Sequence, residues 1–308
     1  IQKVEMKDDV PTGTLIINKK GEFLEKVSAL DSVGGWISHL FEYISGSLKE
    51  VTFEVYALED IKAADGESED YYKKDDLIAT ITTDETGVAK LTDIPLGKYY
   101  VKEVGTAYGY ILDEEPRYVD LSYRDQDTPV VVYDEDWQNN RQKVKVNVLK
   151  KEKDTDRVLK GGIFGLYTRN DILSASGKVL MEADTLIELK TTDVDGKISF
   201  IADLPIDGTY YVKELYAPDG FVTTGEEQEF VFEYQGDKEA EVSYEFVFED
   251  EPTTVKLSKT DLTTGEELPG ARLQLTDENG AVVEEWTSTK DTIGSISGFF
   301  IEIGFHGS

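Results

Sequence analysis

Gly97-Lys98-Tyr99-Tyr100-Val101-Lys102-Glu103 recurs as Gly208-Thr209-Tyr210-Tyr211-Val212-Lys213-Glu214. Side chains alternate between faces along a strand, so Tyr99, Val101 and Glu103 share one face, as do Tyr210, Val212 and Glu214. In both copies a carboxylate ends an apolar row. An unpaired charge in a core costs several kcal/mol, so each glutamate must be neutral, hold a partner, or stand where the strand has left the core.

Lysines behave the same way at the start of each repeat. Leu15, Ile17 and Lys19 lie on one face of an apolar strand; so do Val144, Val146, Val148 and Lys150, and again Val255, Leu257 and Lys259. Near the end of the second repeat, Val242, Tyr244, Phe246 and Phe248 are followed in phase by Asp250. A lysine, a glutamate and an aspartate therefore point into one core.

The repeats set the organisation. Their period is about 110 residues, the size of one β-sandwich. Second strands follow each lysine, at Val51-Thr52-Phe53-Glu54-Val55-Tyr56, at Leu159 to Tyr167 and at Leu268 to Leu275. Thr83-Asp84-Glu85-Thr86-Gly87 and Thr192-Asp193-Val194-Asp195-Gly196 read as hairpin turns. The expected fold class is all-β: tandem antiparallel Greek-key β-sandwiches, Ig-like or prealbumin-like, with an incomplete third repeat. The expected divisions are a linker or tail over 1–11, a first sandwich over 12–141, a second over 142–251 and a partial repeat over 252–308. The first repeat carries an insertion over 25–50. There Trp36, Leu40 and Tyr43 suit an amphipathic helix, Phe41 and Tyr43 suit a strand, and the sequence leaves both open. Ala63 to Asp76, polar and acidic, reads as an exposed loop.

Composition narrows the function classes. Asp and Glu total 63 against 32 Lys and Arg, a net charge of -31. Such a surface repels nucleic acid and anionic membranes. Cysteine is absent, so neither disulfides nor thiol chemistry is available. No apolar run approaches membrane-spanning length, and Ile1 does not begin a signal peptide. The chain reads as a piece of a longer exported protein.

In sequence order, an apolar strand ends in Lys, Leu-x-Gly-x-x-Phe-x-Leu-Tyr follows, then Asp-x-x-Gly, then Leu-Pro-x-Gly-x-Tyr-Tyr-Val-Lys-Glu, then Ala217-Pro218-Asp219-Gly220-Phe221. This order resembles the collagen-adhesin B-type domains, also called SpaA-type pilin domains, of Gram-positive surface proteins. The likeness covers nearly all of repeat two, most of repeat one and the first half of repeat three. It implies an intramolecular isopeptide bond, made without an enzyme, between the first-strand lysine and an Asn or Asp on the last strand, with the glutamate assisting. Carried onto this sequence, Lys150 would join Asp250 beside Glu214, and Lys19 would join Asn139 beside Glu103. Asn139 is preferred to Asn140 because the family sets its acceptor two residues before an Arg-Gln pair, here Arg141-Gln142.

The chemistry is sound. An apolar core lowers a lysine pKa and frees the lone pair, and it raises that of a glutamate, which can then polarise the acceptor carbonyl and relay protons. Effective molarities of roughly 10⁵ M or more are available to well-oriented groups. The competing reading is a buried Lys-Glu ion pair without a covalent bond.

A substrate-processing enzyme fits poorly. No Gly-x-Ser-x-Gly occurs, Gly294-Ser295-Ile296-Ser297-Gly298 has isoleucine at the nucleophile position, and His39 and His306, the only histidines, are far apart. No cofactor or metal is expected; the acidic turns lack a full loop of alternating ligands. The sequence thus points to a stalk or adhesin segment of a cell-wall-attached protein, extracellular and monomeric. The alternatives are a ligand-binding adhesin module, taking a host or matrix protein or glycan through aromatics such as Trp36, Tyr71 and Tyr72, and a subunit of a sortase-assembled pilus. In repeat three no Tyr-x-Val-x-Glu strand follows Trp286-Thr287-Ser288, so Lys259 is expected to lack a partner and keep a free amine. The stretch from Gly294 to Ser308 matches nothing in the first two repeats, and the segment from about 253 onward is expected to form a few strands at most.

Overall fold

The computed structural model describes residues 10–257, 260–276, 279–290 and 293–297, and every regular element among them is a strand. Repeat one contains β1 (Thr12–Val33), β2 (Trp36–Ser47), β3 (Thr52–Ala57), β4 (Leu77–Thr82), β5 (Val88–Pro95), β6 (Lys98–Gly105), β7 (Arg117–Asp120) and β8 (Val130–Gln138). Repeat two contains β9 (Lys143–Glu152), β10 (Ile163–Thr168), β11 (Ile172–Leu173), β12 (Val179–Met181), β13 (Leu186–Thr191), β14 (Lys197–Phe200), β15 (Thr209–Tyr216), β16 (Phe221–Val222), β17 (Glu227–Val231) and β18 (Glu241–Pro252). Beyond it lie β19 (Thr254–Leu257), β20 (Arg272–Thr276), β21 (Val282–Thr287) and β22 (Ile293–Ser297).

The two complete repeats share one plan. In repeat one, β1 pairs with β2 and β5 antiparallel and with β8 parallel, facing a sheet ordered β4-β3-β6-β7. In repeat two, β14-β9-β18-β16 faces β13-β10-β15-β17, and again the first and last long strands, β9 and β18, run parallel. Each sandwich closes over its own core. Leu15, Ile17, Phe53, Val55, Tyr99, Val101 and Trp137 fill the first; Val146, Val148, Phe164, Leu166, Tyr210, Val212 and Phe248 fill the second.

Recurring polar devices hold the turns. The hydroxyl of Thr83 donates to the Leu48 carbonyl and accepts from Val51 N–H, both at 2.9 Å. Thr192 does the same with Leu159 and Gly162, and Ser288 with Leu268 and Ala271. Asp84 accepts the N–H groups of Thr86 and Val88, and Asp193 those of Asp195 and Lys197, so these carboxylates are engaged within their own turns.

The insertion is a β-hairpin, with no helix. β1 continues past Lys19, turns at Gly34-Gly35, both at positive φ, and returns as β2. A two-residue loop of glycines is the signal of a tight hairpin, because both central residues need the left-handed region. The hairpin reaches repeat two. Phe41, 5% exposed, joins the second core, and Leu24, Val27 and Tyr43 pack against that same core. Tyr43 donates its hydroxyl to Asp203 O at 2.9 Å, and His39 Nδ1 meets Leu186 O at 2.6 Å. The loop from Ala63 to Asp76 is mostly exposed but tied by backbone bonds between Ile61 and Tyr72.

In the last segment, β19 pairs with β22 and β20 with β21. β22 thus takes beside β19 the place of β5 beside β1 and of β14 beside β9. The tail that matched no earlier strand by sequence contributes this fourth strand, which precedes the position of a glutamate strand in the shared order. Lys259 and His306 lie outside the described residues.

Candidate functional site

In each repeat one lysine is drawn into the core by its own strand. Leu15, Ile17 and Lys19 alternate inward on β1, and Val146, Val148 and Lys150 on β9. Lys19 is 1% exposed and Lys150 fully buried. Each ammonium lies over a phenylalanine ring, Phe53 at 5.7 Å and Phe164 at 5.8 Å. Those phenylalanines stand opposite the two glutamates across the facing sheet, Phe53 with Glu103 and Phe164 with Glu214. An aromatic floor therefore sits under each amine, and a carboxylate comes from the opposite layer.

The acceptors arrive by register. Across the parallel pairs Lys19 lies opposite Trp137 and Lys150 opposite Phe248. Two residues farther on the same face brings in Asn139 and Asp250, which are 1% and 0% exposed.

In repeat one, Lys19 Nζ is 2.6 Å from Glu103 Oε2. The carboxamide of Asn139 donates through Nδ2 to Glu103 Oε1 at 2.5 Å and to Thr106 Oγ at 2.7 Å. Its carbonyl Oδ1 is buried and accepts no hydrogen bond among the described residues. The glutamate therefore touches the nitrogen of the acceptor and not the carbonyl oxygen that it was expected to polarise. Burial lowers the Lys19 pKa, opposed by the charge and hydrogen bond of Glu103.

Repeat two holds a different balance. Lys150 Nζ lies 2.9 Å from Glu214 Oε2 and 2.5 Å from Asp250 Oδ1. One cation faces two carboxyl groups in a dry core, and retaining a proton on one of them is cheaper than burying a net negative charge. Desolvation, aided by the charge of Asp250 and opposed by Lys150, pushes Glu214 up to about 7.

The structure thus brings Lys19, Glu103 and Asn139 together in one core, and Lys150, Glu214 and Asp250 in the other. Sequence reasoning missed Thr106. Its signal was the position three residues after the glutamate, where repeat two has Ala217. The aromatics considered for ligand binding do not form one open patch. Trp36 packs against Tyr167, Leu186 and Tyr211 of repeat two, and Tyr72 packs on the first core. Among the described residues no helix is long and apolar enough to cross a membrane.

A search of curated protein sequences returns no match. Among solved structures, the chain is similar to the Bacillus anthracis TIE protein, with 22% identity and a TM-score of 0.57 over 93% of this chain. It spans 43% of that protein, less than half its length. That likeness bears on the fold. The minor pilin GBS52 of Streptococcus agalactiae matches at 18% identity over 80% of this chain and 99% of that one, with a TM-score of 0.29. The shaft pilin of Lactobacillus rhamnosus GG matches at 18% over 79% and 98%, with a TM-score of 0.28. These two superpose too little to add to the fold. The model of the SpaA prealbumin-like fold domain matches three times, over 44–136, 144–245 and 253–302. Repeated over most of its length in this way, the chain belongs to the family of SpaA prealbumin-like fold domains.

Proposed function

We propose that this chain is a load-bearing segment of a Gram-positive, cell-wall-attached surface protein, built from serial β-sandwiches that staple themselves. The family is one of pilin-like structural domains rather than enzymes, and the single turnover proposed here acts on the chain itself. The repeats are taken as 12–141 and 142–251, followed by part of a third. Lys19 condenses with Asn139 beside Glu103, releasing ammonia. Lys150 condenses with Asp250 beside Glu214, releasing water. The observation that carries this reading is the burial, in each core, of an amine within hydrogen-bond reach of a glutamate that spans to, or lies beside, the acceptor. Glu103 takes the proton that frees the amine and passes it to the leaving nitrogen; Glu214, pushed up to about 7, supplies the proton with which an oxygen of Asp250 leaves as water.

The topology gives the bond a mechanical role. Because β1 and β8, and β9 and β18, run parallel, a chain pulled from its ends would shear these pairs. With the links in place, tension passes along 12–19, crosses to 139, runs through 140–150 and crosses to 250. Residues 20–138 and 151–249 then carry no load. A cross-link closing a loop of about 100 residues is worth roughly 4 to 5 kcal/mol in the chain-entropy model. That supplies what disulfides would in a cysteine-free exported chain.

The test is peptide mapping of the purified chain. The reading expects branched peptides joining the Lys150 segment to the Asp250 segment and the Lys19 segment to the Asn139 segment. Linear peptides with an unmodified Lys150 and Asp250 would refute it.

A further inference from the structure

We propose that Thr106 is a positioning residue for the repeat-one cross-link, orienting the Asn139 carboxamide so that its nitrogen faces Glu103. This rests on the reading that Lys19 and Asn139 condense.

A carboxamide has two unlike ends, and only one can leave. Condensation expels Nδ2, so Nδ2 must lie beside the proton carrier. In this site Nδ2 has two acceptors, Glu103 Oε1 at 2.5 Å and Thr106 Oγ at 2.7 Å, while Oδ1 accepts nothing among the described residues. Glu103, already held by Lys19 through Oε2, is the relay; Thr106 takes the second N–H and fixes the plane of the amide. The ammonium of Lys19 enters with three protons and ends as an amide nitrogen with one. The two it sheds pass through Glu103 to Nδ2, the Nζ–Cγ bond forms as the Cγ–Nδ2 bond breaks, and Nδ2, with its own two protons, departs as ammonium.

Repeat two gives the contrast. Thr106 lies three residues after Glu103, and the residue three after Glu214 is Ala217. The acceptor there is Asp250, whose two oxygens are chemically alike, so no end of it needs selecting. The hydroxyl occurs beside the acceptor that must be oriented and is absent beside the one that need not be.

The experiment uses the full chain recovered unfolded in denaturant before any link has formed, then refolded and followed by intact mass over time. Thr106→Val should slow the loss of ammonia about tenfold or more, the scale of a modest misplacement of reacting groups. The loss of water from repeat two should keep the parent rate in the same tube. Thr106→Ser should restore the rate. In an Asn139→Asp background, where repeat one loses water instead, Thr106→Val should leave the rate within about twofold; that variant also reports that repeat one folds with valine at 106. Loss of ammonia from Thr106→Val at the parent rate, or an equal slowing in the Asn139→Asp background, would overturn the role of Thr106 alone. A parent that retains its ammonia would overturn the cross-link itself.

Discussion

The Nζ of Lys150 stands 2.5 Å from Oδ1 of Asp250, at the far end of two parallel strands that are the first and last of their sandwich. Neither residue could be there alone. Lys150 offsets the charge of Asp250, and Glu214 completes the set from the facing sheet. Removing Lys150 or Asp250 leaves a buried charge without its partner, whereas removing Glu214 leaves the pair of Lys150 and Asp250 in place without its proton source.

Glu214→Ala removes the proton source of repeat two. The variant should fold but remain heavier than the parent by one water, and repeat two should lose roughly 4 to 5 kcal/mol of stability. Intact mass and thermal unfolding read both. Complete bond formation in Glu214→Ala would show that the glutamate has no part in the chemistry.

The raised pKa of Glu214 predicts a pH dependence of bond formation. Folding makes this group take up a proton, so its contribution is full below its usual value near 4.5 and is lost as pH rises through about 7. Refolding of unlinked chain should therefore lose water from repeat two more slowly above pH 7 than below it. A rate in repeat two that climbs steadily through this window would contradict the assignment.

Much of this site was legible because strand periodicity is strict. Lys19, Lys150, Glu103, Glu214 and Asp250 each continue an inward row, and a charged residue in such a row is visible without a structure. Asn139 was not legible that way, since β8 ends at Gln138 and the acceptor lies just beyond the strand; only its Arg-Gln neighbours pointed to it. The insertion stayed open between helix and strand because its apolar spacing fits two periods, while Gly34-Gly35, which decides between them, is local turn chemistry. What Phe41 packs against lies in another repeat, and no pattern within residues 25–50 carries that information. The third-repeat tail was obscured because β22 is recognised by its partner β19 rather than by its own composition.

Phe41 belongs to repeat one by sequence and to repeat two by packing. Phe41→Ala should destabilise repeat two by about 3 to 5 kcal/mol, as for other buried phenylalanines, while leaving the Lys19 site intact. Separate melting of the repeats, followed by limited proteolysis, checks this. An unchanged repeat two would mean that the hairpin rests on the surface without supporting the core.

The segment after Pro252 has two two-stranded sheets among its described residues and none of the four-stranded layers of the complete repeats. Limited proteolysis should remove residues from about 253 onward first and leave repeats one and two as a resistant product. Resistance of this segment equal to that of repeat two would show that it closes a core of its own.

The most direct measurement is the intact mass of the purified, folded chain after transfer to denaturant. Two links predict a mass below that of the sequence by one ammonia and one water. A deficit of water alone would confine the chemistry to Lys150 and Asp250, and a mass equal to the sequence would contradict the account, leaving both sites as buried ion pairs.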